Sequence, residues 1–292
     1  MNQNIISMIG IVAAIAIAAG ISIAGSQGGS NIEGISVLFL FAIVAFSIQW
    51  LAFIPAFIFQ TEKYFDLIGS ITYIGLAIAA LLLSNKEPGA IILALMVVIW
   101  ALRLGSFLFI RVQNAGHDSR FRSIKPDFLQ FLMTWTLQGL WVFITFAAGL
   151  TALTSASDHP IGGFVIAGTA LWLIGFIIEI IADKQKTVFR SDPANSDRFI
   201  HTGLWSRSRH PNYFGEIVLW IGVAVVAIPA LEGWQYLTLI SPIFVFVLLT
   251  KISGVRMLEH KAQRKWGKEQ DYRDYHKRTP VLWLSLTTPK NR

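Results

Sequence analysis

The chain contains no cysteine, which excludes disulfides, thiolate metal sites and cysteine nucleophiles. It is also poor in charge. Only 14% of its 292 residues are Asp, Glu, Lys or Arg, against about 25% in an ordinary soluble domain, so much of the chain is built to avoid water. Its six histidines are scattered without the spacing of a ligand set, and no bound metal is expected. Acidic residues are in the minority: 17 Asp and Glu face 24 Lys and Arg, a net charge of +7.

Hydrophobic residues make up 54% of the sequence, and they fall into eight long runs: 5–24, 35–59, 67–84, 90–110, 128–153, 161–182, 214–230 and 236–249. A helix needs roughly 20 apolar residues to cross the hydrocarbon core, and the last run is short by that measure. Runs such as 91–100 lack the alternation of barrel strands. The expectation is an all-α, polytopic membrane helix bundle with seven to eight transmembrane helices, forming a single integral membrane domain. The first run has no basic segment before it and is too long for a signal peptide, so it reads as a retained helix.

The charges give an orientation. Segments 111–127, 183–212 and 251–292 hold 21 of the 24 Lys and Arg residues. The alternate connections hold only Lys86. Cytoplasmic loops carry the basic excess, so eight crossings put all three basic segments and both termini on the cytoplasmic side. Contact with anionic membrane lipids accounts for part of this charge, and because the membrane rule explains it first, no nucleic-acid partner is expected.

Segment 184–212, KQKTVFRSDPANSDRFIHTGLWSRSRHPN, is too long for a simple turn between helices. Its cations alternate with rings: Phe189 with Arg190, Arg198 with Phe199, Trp205 with Arg207. That pattern suits a phosphorylated, ring-bearing ligand and equally an interfacial segment. It leads into Arg209-His210-Pro211-Asn212-Tyr213-Phe214-Gly215-Glu216. Pro211 suits a first helical turn, Asn212 sits where free N–H groups favour an anion, and Glu216 lies on the face of Asn212. A carboxylate inside a membrane helix points to function by default.

Further polar residues sit at cytoplasmic helix ends: Glu179 and Asp183, four apart in the sixth run, Arg103 in the fourth, and Asp66 opening the third after Glu62 and Tyr64. Asp183 and Glu179 also fit a snorkelling helix end, and Arg103 fits an ion pair with Asp66 or Glu62. Near the C-terminus, Glu259 is placed to pair with basic neighbours, and His260 is either a ligand contact or an exposed titrating group.

The runs GLWSRSRHPNYFGEIVLWIG (203–222) and RMLEHKAQRKWGKEQDYRDYHKRTP (256–280) resemble the C-terminal half of the steroid 5α-reductase family, and WALRLGSFLFIRVQNAGHDSRF (100–121) resembles its bacterial branch. The resemblance covers roughly residues 66–280, leaving 1–34 as an extra N-terminal helix ahead of a reductase-like core, 60–280. It implies NADPH-dependent reduction of the 4,5 double bond of a Δ4-3-keto steroid or a similar lipophilic enone. It also implies a cofactor under cytoplasmic loops, in a bacterial inner membrane protein read as a monomer. Matched residue by residue, cofactor contacts fall on Asp183, Arg190, Arg198, Asn212, Glu216, Arg256 and His260, with Arg103, His210 and Tyr213 read alongside them.

The family's carbonyl-binding glutamate and tyrosine fall near Asp66 and Trp100, both departures in residue type. Glu62, Tyr64 and Tyr73 are near enough to substitute. The Arg-His-Pro-x-Tyr element is shared with S-adenosylmethionine-dependent membrane methyltransferases of the isoprenylcysteine carboxyl type, which stand as the alternative.

Overall fold

A computed structural model describes residues 3–157 and 159–285; the last residues of segment 251–292 and Asp158 in the 154–160 connection lie outside them. Among the described residues, eight helical segments are long and apolar enough to cross a membrane: Gln3–Gly25, Val37–Ile58, Phe65–Leu83, Pro88–Ala115, Phe128–Thr154, Gly163–Ser191, Pro211–Ala230 and Gly233–Trp266. The chain is a helical integral membrane protein. The expected runs are all present, and the eighth, short in the sequence, reaches spanning length because helical turns run from Gly233 to Ile252 and resume after a bend at Ser253 and Gly254. It passes through a 3-10 turn at Gly233–Leu239, a short α-helix at Ile240–Val247, a π turn at Leu248–Ile252 and a polar helix at Val255–Trp266.

The α-helices are α1 (Gln3–Gly25), α2 (Val37–Ile58), α3 (Phe65–Leu83), α4 (Pro88–Ala115), α5 (Phe128–Thr154), α6 (Gly163–Ser191), α7 (Pro211–Ala227), α8 (Ile240–Val247), α9 (Val255–Trp266) and α10 (Gln270–Arg278). A hairpin of two-residue strands, Asn31–Ile32 and Ile35–Ser36, precedes α2. Its turn residues Glu33 and Gly34 both have positive φ, 51° and 81°, as a tight two-residue hairpin requires.

One expectation changes. The segment read as a loop from residue 184 is helical as far as Ser191, because KQKTVF contains no breaker and the first proline comes at 193. At 29 residues, α6 is about 44 Å long, well beyond the roughly 30 Å hydrocarbon core.

The chain forms two compact units. The first comprises the residues up to Ala167 together with Val223–Ser241. Helix α5 is its axis, packing against α1, α2, α3 and α4 and buried along most of its length. Two polar side chains on α5 pair inside the bundle: Gln138 Nε2 donates to the Phe65 carbonyl at 2.7 Å, and Thr136 Oγ1 accepts from the Trp50 indole at 3.0 Å. Asp127 caps α5 by accepting from the Gln130 N–H at 2.8 Å. Polar side chains that bond across helices, as those of Gln138 and Thr136 do, help to hold a membrane bundle together.

The second unit comprises Gly168–Gly222 and the residues from Pro242 onward. Within it α6 and α7 meet through glycines. A Cβ on Gly175 would lie 2.5 Å from the Gly215 carbonyl oxygen, and one on Gly222 would lie 2.6 Å from that of Gly168. Each helix spaces its two glycines seven residues apart, so the antiparallel backbones touch over two turns. This is the small-residue packing that membranes favour.

Candidate functional site

The chemistry of the second unit gathers where the chain enters α7. Residues 207–209 lie along the segment after α10. The Arg209 N–H donates to the Pro280 carbonyl at 2.9 Å, Ser208 Oγ to that of Leu282 at 2.9 Å, and the Ser285 N–H to that of Arg207 at 2.9 Å. This leaves Arg209 and His210 only 9% and 5% exposed. Both turn to Glu259 on α9. Arg209 Nη1 donates to Oε2, and His210 Nε2 lies 2.7 Å from Oε1. His276 on α10 reaches the same carboxylate at 3.1 Å.

One carboxylate thus gathers three basic side chains. Burial holds the His210 imidazole below its ordinary range, against the upward pull of Glu259. Arg209 Nε and His210 Nδ1 are buried and have no hydrogen-bond partner among the described residues.

These two side chains border a cavity of about 240 Å³. Its aromatic walls are Phe199, Trp205, Trp266, Tyr272 and Tyr275, and its cations are Lys186, Arg190, Lys261 and Lys265. The walls are fixed by their own polar handles. The Trp205 indole donates to the Ala182 carbonyl at 3.0 Å, the Trp266 indole to that of Asp197 at 2.6 Å, and the Tyr275 hydroxyl to that of Trp205 at 2.8 Å. Burial pushes the Tyr275 phenol far up, so it is neutral at any physiological pH. A second recess of about 420 Å³ shares Glu259 and adds His260, Arg273, His276 and Lys277.

Of the residues expected to hold a cofactor, Arg190 and His210 line the cavity and His260 the recess. Tyr213 stacks on His210, rings 5.7 Å apart and 10° from parallel. Asp183 and Glu216 are buried at 6% and 7% exposure, Asn212 is half-buried, and Arg198 and Arg256 are exposed. None of these five borders either space. Arg103 belongs to the first unit, where its guanidinium lies over the Phe107 ring at 5.3 Å.

The aromatic and cationic lining supplied by α9 and α10 escaped the sequence reading. Its signal was there: Leu258, Lys261, Ala262 and Lys265 fall at i, i+3, i+4 and i+7, one helical stripe, and Tyr272 and Tyr275 are three apart.

The other candidates lie in the first unit. Glu62, 4% exposed, accepts from Lys125 Nζ at 2.5 Å and from the Asp118 N–H at 2.8 Å. Burial alone would raise its pKa, but these two bonds outweigh it and hold the carboxyl below its usual range. Arg120 bonds Asp118 through Nε at 2.8 Å and lies 3.7 Å from Asp66. Trp100, 2% exposed, meets Tyr73 edge to face at 5.1 Å. Tyr64 is half exposed and stacks on Phe109 at 5.9 Å. Among the described residues no group of three or more His, Asp or Glu is arranged to hold a metal.

With both arrangements in view, comparison with known proteins gives a family. Residues 52–279 match the family described as "Protein of unknown function (DUF1295)". The chain belongs to it. Among curated proteins, the bovine (Bos taurus) 3-oxo-5-alpha-steroid 4-dehydrogenase 1 is 28% identical over 205 residues, 68% of this chain and 68% of its own length. A probable 7-dehydrocholesterol reductase of Acanthamoeba polyphaga mimivirus is 28% identical over 182 residues, 55% of this chain and 38% of the relative. A probable O-methyltransferase, ustE, of Ustilaginoidea virens is 30% identical over 84 residues, 27% of this chain and 30% of the relative. The DUF1295 chain thus spans about two thirds of the first and well under half of the other two. It is a distant relative of steroid and sterol reductases. No solved structure matches it.

Proposed function

We propose that this protein is an NADPH-dependent reductase of the carbon–carbon double bond of a lipophilic enone, a Δ4-3-keto steroid or a compound of similar shape. The observation that carries the reading is the cavity of the second unit. Its fixed aromatic walls suit a base, its four cations suit phosphates, and buried Arg209 Nε and His210 Nδ1 await a polar ligand edge. The residues present therefore fit NADPH, with Lys186, Arg190, Lys261 and Lys265 as its phosphate partners. When bound, NADPH supplies a hydride to the β-carbon of the enone.

The chain's part is to hydrogen-bond the carbonyl oxygen as enolate charge develops there, the oxyanion-type stabilisation that often dominates catalysis. Glu62 is hydrogen-bonded to Lys125 as a carboxylate, whereas Asp66 has only a 3.7 Å ionic contact with Arg120, so we assign the acid to Asp66. The α-carbon takes its proton from water. The positive-inside pattern supports a cytoplasmic position for the basic cavity, and in this reading the protein is a monomer of a bacterial inner membrane that substrate enters from the bilayer.

The test is a thermal-shift comparison of NADPH, NADH and S-adenosylmethionine on detergent-purified protein, since a ligand that binds only the folded state raises apparent stability. Stabilisation by NADPH supports the reductase. The match to a probable O-methyltransferase supports the second reading, a membrane methyltransferase using the same cavity, and stabilisation by S-adenosylmethionine alone would replace the first reading with it.

A further inference from the structure

Glu259 is absent from the cofactor contacts that the family resemblance assigns, yet it is the hub of the cavity's buried polar groups. A carboxylate bonded by a guanidinium is an acceptor only, so the ring nitrogen facing it, His210 Nε2 at 2.7 Å, carries the proton. A neutral imidazole has one N–H, and burial disfavours a second. His210 Nδ1 is then left as a lone pair. The same carboxylate occupies Arg209 Nη1 and leaves Nε–H as the donor without a partner. The Trp205 and Trp266 indoles and the Tyr275 hydroxyl donate to backbone carbonyls, so these three rings offer only their faces.

Beside the aromatic walls and the four cations, the buried polar atoms of the lining left without a partner are thus one acceptor, His210 Nδ1, and one donor, Arg209 Nε–H. A volume of about 240 Å³ is below the roughly 300–1,000 Å³ of pockets that enclose a whole drug-sized ligand. It suits one ring system.

We propose that Glu259 is a positioning residue that fixes the His210 tautomer, so that the cavity selects a purine bearing a 6-amino group: the adenine end of the nucleotide. The amino group donates to His210 Nδ1, and a neighbouring ring nitrogen accepts from Arg209 Nε–H. The inference rests on the nucleotide reading of the preceding section and adds which end enters and what reads it.

The experiment is equilibrium binding of NADP⁺ and of its hypoxanthine counterpart, nicotinamide hypoxanthine dinucleotide phosphate, with no turnover required. Hypoxanthine exchanges the amino donor for an oxo acceptor without adding bulk, so it sets a lone pair against His210 Nδ1. The wild-type protein is expected to prefer NADP⁺ by about tenfold or more, the effect of leaving one buried group unsatisfied. In Glu259→Gln the neutral amide N–H can donate to His210 Nε2, the ring proton moves to Nδ1, and the preference should fall to within about twofold or reverse. Glu259→Asp, which keeps the carboxylate, should retain the preference. A merely structural Glu259 would weaken both ligands together and leave their ratio unchanged.

Equal binding of the two ligands by wild type overturns the inference while leaving the nucleotide reading intact, and does so even if Glu259→Gln fails to fold. An unchanged ratio in a folded Glu259→Gln protein also overturns it. Failure of both ligands to bind the wild type rejects the nucleotide reading, and this inference with it.

Discussion

The two units handle buried charge in opposite ways. In the first, the carboxylates beside the α2–α3 connection close on partners of their own: Glu62 on Lys125 and the Asp118 N–H, and Asp118 on Arg120. In the second, Glu259 draws in Arg209, His210 and His276, and Arg209 and His210, whose Nε and Nδ1 are left without a partner, line a cavity. Ion pairs alone therefore do not mark a site. A closed pair secures a connection; a gathered set of cations with capacity to spare prepares a surface for a ligand.

The sharpest way to break this contrast is Arg209→Met. Truncating one member of a buried, hydrogen-bonded charge set costs about 2–5 kcal/mol, so NADPH affinity should fall on the order of 10³-fold in a titration. A loss under tenfold would mean that the spare capacity is not used by the ligand.

Lys125→Met should do the reverse, lowering stability by about 3 kcal/mol, since removing one partner leaves a buried charge uncompensated, with the dissociation constant for NADPH unchanged. The pH dependence has a definite sign. Glu62 has a folded-state pKa below that of an ordinary glutamate. Its contribution is therefore complete above the ordinary, unfolded value and is lost as pH falls through the folded one. Thermal melts of the detergent-purified protein between pH 7 and 3.5 should show a steeper loss in wild type than in Lys125→Met; parallel curves would remove the closed pair from the account.

Gly175→Ala should cost about 1–3 kcal/mol by overpacking, read as a lowered Tm, because its new methyl meets backbone on α7. Gly20→Ala on α1, where a Cβ meets nothing within 4 Å, should change stability by at most about 1 kcal/mol, in the stabilising direction. Similar losses at both would show that the glycine contact is not tight. The smallest effect on binding is expected at Arg190→Gln. This exposed cation should be worth only a few-fold in affinity, and the difference should shrink in salt as surface charge is screened.

How much was legible in the sequence follows the same division. Apolar run length depends only on the chain and the bilayer, so all eight spans could be read from it. Pro211 does open α7, and the predicted alternation of cation and ring placed Arg190, Phe199 and Trp205 at the cavity. Arg198 and Arg207 belong to the same alternation but do not line it, because the strip folds back and only some of its side chains face inward. Glu62 looked like a candidate acid because its partner lies 63 residues away, a distance no local pattern reports. Glu259 was legible as a residue placed to pair with cations, but its choice of Arg209 and His210, 50 and 49 residues earlier, exists only in three dimensions.

The pairing of residues 207–209 with the backbone of 280–285 has a consequence for how the protein comes into being. Arg209 and His210 are synthesised and threaded toward the membrane long before the strip that holds them has been translated. Their wrapping is supplied from the far end of the chain. A chain cut short after α10 would hold all eight spans and every residue that lines the cavity, yet lack the backbone partners that secure residues 207–209.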